Sequence, residues 1–145
     1  MIKIIVLGKL KESYLNELVN DYLKRIKRYH KIELIELKDI EDLNLEAQNI
    51  MKFINNDDFV ITLEIMGKNY TSEEFAELIG KTFISHSTID FIIGSSTGLS
   101  DSIKKRSNLA LSFSKLTFPH GLFRGVLLEQ IYRAFKINNN ETYHK

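Results

Sequence analysis

At 145 residues, with 43% hydrophobic and 27% charged side chains, the chain has material for one domain and one core, and residues 1–145 read as a single domain. It has no cysteine, which excludes disulfides, thiolate nucleophiles and cysteine-ligated zinc. The formal charge of +1 gives no global nucleic-acid signature, but residues 115–145 hold five basic and two acidic side chains, leaving −2 for the remainder and directing the search for an anionic partner to the C-terminal third.

The opening apolar run, Ile2 to Leu7, predicts a strand buried on both faces. It is too short for a signal peptide or a membrane span, so a cytoplasmic protein with no membrane partner is expected. Tyr14, Leu15, Leu18, Val19, Tyr22 and Ile26 recur at helical spacing, with Ser13 as the N-cap candidate. Ile32–Leu37 reads as a second strand and Leu45–Ile54 as a helix. Phe59–Ile65 is a third strand closed by Gly67, and Thr71 with Glu74 three residues on forms a capping box. Ile89–Ile93 is a fourth strand, Ser100 or Asp101 caps a short helix through Arg106, Leu109–Phe113 is a fifth strand, and Gly121–Phe135 is the last helix. Strands alternating with helices predict an α/β fold, a mostly parallel sheet with helices on both faces.

Two loops stand where such sheets bind ligands, beyond the carboxyl ends of strands. Gly94-Ser95-Ser96-Thr97-Gly98 is either a tight turn or a ligand loop; it lacks the endings of a P-loop and of a dinucleotide fingerprint. Ser114 to His120 is irregular, because Pro119 keeps Phe118 out of the helical region; it reads as a rigid connector, with His120 capping the next helix, or as a second ligand loop. Arg124 and Arg133 sit in an otherwise apolar helix. Glu129 pairs with Arg133 at i,i+4, whereas Arg124 has Leu128 at that spacing and is the better candidate for a phosphate or carboxylate. His30 and His86 read as solvated, Asp57-Asp58 and Glu73-Glu74 as loop and helix-start charges, and Tyr143-His144-Lys145 as a frayed end. No metal-ligand spacing stands out, so no metal is expected.

Taken together, I-G-x-x-x-G-L (Ile93–Leu99), L-S-F-S-K-x-T-F-P-H (Leu111–His120), L-x-E-Q-x-Y-R-A (Leu127–Ala134) and the terminal Y-H-K resemble the RlmH family of SPOUT methyltransferases over the full length. The resemblance implies a C-terminal trefoil knot, a homodimer, and methyl transfer from S-adenosylmethionine to N3 of a pseudouridine in large-subunit ribosomal RNA, on the assembled ribosome. By position it places Leu63, Gly94 and Phe113, Ser114, Lys115, Leu116, Thr117 and Phe118 at the cofactor. It places His120, Arg124, Tyr143 and His144 at the catalytic centre, with Arg124, Arg133, His120 and Lys145 toward the RNA. It also implies that one subunit's tail completes the other's pocket. His144, with a reference pKa of about 6.5, is the candidate base for the N3 proton, with water the other candidate. The chain departs from the family's glycines at Ser95 and at Asn138–Asn140. The alternatives are a non-catalytic RNA- or ribosome-binding module of the same fold and a small phosphate-ester hydrolase using Gly94–Gly98 as an anion cradle.

Overall fold

The computed structural model describes residues Met1–Lys145 and holds five parallel strands in the order β2-β1-β4-β3-β5. In chain order the elements are β1 (Ile2–Leu7), α1 (Ser13–Ile26), β2 (Ile32–Leu37), α2 (Leu43–Met51), β3 (Phe59–Asn69), α3 (Ser72–Ser85), β4 (Ile89–Ile93), α4 (Asp101–Arg106), β5 (Leu109–Ser112) and α5 (His120–Asn138). The α/β expectation holds, and helices cover both faces. Ile2, Ile4 and Val6 of β1 face α1, α3 and α5, while Ile5 and Leu7 alternate to the side of α2 and α4. Helix α5 lies between α1 and α3 and buries Leu127, Leu128, Ile131 and Phe135. No helix is long and apolar enough to cross a membrane.

Local signals account for most helix starts. Asp42 caps α2, Thr71 and Glu74 form the reciprocal box at α3, and Ser100 caps α4. Ser13 is not a cap: α1 starts one residue earlier, Glu12 taking the N-cap position without a side-chain bond. His120 is likewise the first helical residue of α5, after Pro119.

Strand β3 runs beyond Ile65 because it folds an excursion into its ladder. Leu63 and Lys68 both pair with Leu111 of β5, so residues 64–67 bulge out between them. Gly67 makes this possible: a Cβ there would stand 2.7 Å from the carbonyl carbon and oxygen of Ala110, both backbone atoms that cannot yield.

At the opposite, amino-terminal end of the strands lies a charge cluster that no sequence pattern indicated. Asp58 is buried rather than a loop charge, and its carboxylate takes Lys3 Nζ at 2.9 Å; Asp90, fully buried on β4, lies 3.5 Å from the same ammonium. Burial first, and the neighbouring Asp58 second, push the Asp90 carboxyl up to about 8 from an ordinary 3.8. In Asp58 burial acts upward too, but the adjoining Asp90 carboxyl and the hydrogen bonds from Asn55 N–H and Lys3 Nζ outweigh it and hold that group low. The folded protein therefore keeps a proton on Asp90 that the unfolded chain releases near pH 4, and stability falls as pH rises from about 4 to about 8. Asp90→Asn removes that slope, so its melting temperature gains on the parent between about pH 5 and about 8 and the difference levels off above that. Lys3→Met strands the buried Asp58 carboxylate and costs about 3–5 kcal/mol by urea unfolding.

Candidate active site

The carboxyl ends of β3, β4 and β5 enclose a cleft of about 380 Å³. Leu63 and the excursion Glu64–Met66 form one wall, Ile93 to Leu99 another, and Leu111–Ser114, Leu116–Phe118, His120 and Phe123 the third. Two features suit it to a flat, partly apolar ligand. Residues 113–118 make no main-chain-to-main-chain hydrogen bond, and Leu116 N–H is the one amide of the stretch bonded internally, donating to Ser114 Oγ at 2.9 Å. The remaining amides are available to a ligand. Gly94 has no room for a side chain, since a Cβ would meet Leu99 Cγ at 2.9 Å and the Gly98 carbonyl at 3.0 Å. The turn is thus pressed against its own backbone, with Gly98 at a φ of 85°. Ser95 fits here with an ordinary φ, its Oγ 2.8 Å from Thr97 Oγ1, so the serine demands no altered backbone.

Of the cofactor positions expected from sequence, Leu63, Gly94, Phe113, Ser114, Leu116, Thr117 and Phe118 line this cleft, and Lys115 does not. Lys115 is exposed and stands outside the lining, as suits a charge on a mostly apolar loop. The sequence missed Ile65, Met66 and Phe123; the excursion that carries the first two is a feature of β3–β5 pairing, invisible to strand periodicity. Glu64, Lys104 and His120 are the only ionisable side chains in the lining.

Arg124 is elsewhere. It is 3% exposed beneath the carboxyl ends of β1 and β2, donating to Glu36 Oε2 at 2.8 Å, Gly8 O at 3.0 Å and Leu7 O at 3.4 Å. The expectation that it holds an RNA phosphate is corrected by this burial: the guanidinium is committed to Glu36 and two carbonyls, with only Nε unpaired. Its geometry is that of a clamp, tying β1 and β2 to the start of α5 next to His120.

The tail is ordered against its own subunit rather than frayed. Asn140 takes the left-handed conformation, at φ 55°, that turns the chain back. Tyr143 packs edge-on against Tyr132 at 4.9 Å and donates to Glu129 Oε1 at 3.0 Å. Glu129 also grips Arg133, as the i,i+4 spacing predicts. Arg133 Nη1 donates to His144 Nδ1 at 3.0 Å, and His144 Nε2 donates to Glu73 Oε1 at 2.6 Å. Arginine can only donate, so the neutral ring carries its hydrogen on Nε2. Both nitrogens are therefore occupied, and the hydrogen bond from His144 holds the Glu73 carboxyl below its usual range. Glu73 thus anchors the tail. His30 is corrected as well: it is half-buried between Phe83 (4.4 Å) and Phe135 (5.7 Å), beside the amino terminus, and burial lowers its pKa. His86 is only partly solvated, lying edge-on to Phe59.

Residues 1–144 match the family described as "Predicted SPOUT methyltransferase". The chain belongs to the SPOUT methyltransferase family. Relatives named "Ribosomal RNA large subunit methyltransferase H" occur in Streptococcus pneumoniae (48% identical, 99% of each chain), Caldicellulosiruptor saccharolyticus (46%, 100% of each) and Clostridium acetobutylicum (44%, 99% of each). A solved structure described as a probable methylase family protein from Haemophilus influenzae superposes with a TM-score of 0.57 over 99% of this chain and 70% of that one; at 16% identity it supports the fold alone.

A SPOUT methyltransferase takes its methyl group from S-adenosylmethionine, and this chain is an enzyme of that class. The cleft fits that donor. Leu63, Ile93, Leu99 and Leu111 offer apolar surface to an adenine, and the unbonded amides of 113–118 offer donors for its acceptors. When bound, the cofactor supplies an activated methyl on a sulfonium. The protein's task is then to hold the acceptor in line with it.

Proposed function

We propose that the protein methylates N3 of a pseudouridine in large-subunit ribosomal RNA, on the assembled ribosome and in the cytoplasm, working as a homodimer. The observation that carries this reading is the cleft at the ends of β3, β4 and β5, in a chain that aligns end to end with relatives named for ribosomal RNA methylation. The C-terminal trefoil knot belongs to the same reading, with β5 laid outside β3 and the chain returning from it to α5.

Two observations support the dimer reading: the position of the tail outside its own cleft and the apolar rim. Removing the N3 proton calls for a base or an anion-stabilising donor near the acceptor. Tyr143, His144 and Arg133 stand outside their own subunit's cleft, which offers only Glu64, Lys104 and His120. Around the mouth, Met66 is 93% exposed, Leu116 73% and Ile65 51%, an apolar rim suited to a second copy. In the dimer the tail reaches the partner's cleft; His144 leaves Glu73 to act on the proton, with Lys145 toward the RNA. His120 already faces the cleft and is the in-subunit candidate for binding RNA and stabilising the anion. Arg124 serves as a positioning residue through Glu36 and the end of β1.

A near-neutral chain gains little from non-specific phosphate attraction, so shape and ribosomal context supply the discrimination. Ribosomes lacking the modification are methylated at least ~100-fold more efficiently than a free RNA hairpin of the same sequence, compared by kcat/KM and equivalent to about 2.7 kcal/mol. Equal efficiencies on the two substrates contradict the assembled-ribosome reading.

A further inference from the structure

The eight residues from Lys24 to Lys31 hold Lys24, Arg25, Lys27, Arg28 and Lys31 and no acidic side chain, in a chain of net charge +1, which leaves −4 elsewhere. Lys24, Lys27 and Arg28 stand at i, i+3 and i+4 and share one exposed face at the end of α1, with exposed Lys31 beyond the turn. Arg25 pairs with Asp21, while Lys24, Lys27, Arg28 and Lys31 form no ion pair. A helix C-terminus favours cations in its last turn, but Arg28 and Lys31 lie past the end of α1, where that influence has fallen away.

The other face of this segment links the charges to the tail. Tyr22 lies 6.0 Å from Tyr132 of α5, and the Arg25 guanidinium carbon sits 5.6 Å over the Tyr132 ring. Lys136 lies 5.6 Å over both Tyr29 and Tyr132. Tyr132 in turn meets Tyr143, whose ring lies 4.8 Å from the Arg133 guanidinium. One band of cations and aromatic rings therefore runs from the end of α1 to Tyr143 and His144. An amphipathic membrane helix would show an apolar face here, but the apolar residues of α1, Leu15, Val19 and Ile26, are buried.

We propose that the exposed face formed by Lys24, Lys27, Arg28 and Lys31 binds the phosphate backbone of the RNA substrate, flanking the tail that delivers Tyr143 and His144. The proposal rests on the ribosomal RNA reading above. It gives a chain with little net charge a concentrated, unpaired cationic surface on the segment whose other face packs, through Tyr132, against the tail. Such contacts set affinity and register, not chemistry.

The test is the K24Q/K27Q/R28Q/K31Q variant, assayed on ribosomes lacking the modification across a salt series, with S-adenosylmethionine affinity measured in parallel. The proposal expects KM for ribosomes to rise at least ~10-fold, with kcat and cofactor affinity unchanged, and the slope of log(1/KM) against log salt to become shallower by about 2–3. Unchanged KM and slope overturn it, as does a rise in KM that anionic phospholipid vesicles, rather than RNA, compete away in the parent enzyme. Should the quadruple variant lose cofactor binding, K27Q/R28Q is read instead, with about half the change in slope expected and an unchanged slope again overturning the proposal. A parent enzyme inactive on ribosomes removes the ribosomal RNA reading itself; an active parent with an indifferent variant removes only this surface.

Discussion

Gly94→Ala weakens S-adenosylmethionine binding by roughly 10- to 100-fold, about 1.4–2.7 kcal/mol by calorimetry. The added methyl has nowhere to go. It would stand 2.9 Å from Leu99 Cγ and 3.0 Å from the carbonyl carbon and oxygen of Gly98, and Leu99 is itself buried against Ile92 and Ile103. The turn must open at Gly98, and that movement displaces the wall between Ile93 and Leu99. The strand beneath is untouched, so the melting temperature changes by only a few degrees, consistent with a local cost of order 1 kcal/mol. Ser95→Gly is the matched comparison. Ser95 has an ordinary φ, so restoring the family's glycine changes affinity less than about threefold, below 1 kcal/mol. A Gly94→Ala enzyme with parental affinity shows that the cofactor lies elsewhere.

Deleting Tyr143–Lys145 has the opposite profile: S-adenosylmethionine binding is retained and methyl transfer falls at least ~100-fold, the scale of a lost proton-transfer or positioning group. None of the three residues lines the cleft of its own subunit, so cofactor affinity has no reason to change. What is lost is the His144 ring and the Tyr143 hydroxyl, which Glu129, Arg133 and Glu73 hold outside that cleft in the single chain. Mixed dimers separate a catalytic tail from a structural one. A subunit carrying Gly94→Ala contributes an intact tail, and a tail-deleted subunit contributes an intact cleft. Co-expressed, the pair regains one working site per mixed dimer, well above either variant alone. Activity no greater than the sum of the two homodimers refutes a site shared between subunits.

What could be read from the sequence was local. The largely apolar runs of β1 and β4, the Thr71–Glu74 box and the Glu129–Arg133 pair are patterns within a few residues, and each formed as expected. What escaped depends on contacts between distant positions. Arg124 meets Glu36 across 88 residues and His144 meets Glu73 across 71, so local spacing shows neither pairing. Lys3 lies within the run taken as one apolar strand, and only Asp58 and Asp90, 55 and more residues away, show what it is for. Residues 64–67 looked like a strand end because periodicity cannot see that Leu63 and Lys68 share one partner. The cofactor loop was legible as a position beyond a strand, but only family resemblance chose a ligand site over a connector there. That resemblance set no side-chain partners, which is why Arg124 was expected at a phosphate and found as a clamp.

The central claim is tested most directly by supplying the purified protein with tritium-methyl S-adenosylmethionine and ribosomes that lack the modification, then digesting the RNA to nucleosides. The account predicts label in one nucleoside of large-subunit RNA, a pseudouridine methylated at N3. Label at another base, or bound cofactor with no transfer to ribosomal RNA, would contradict it.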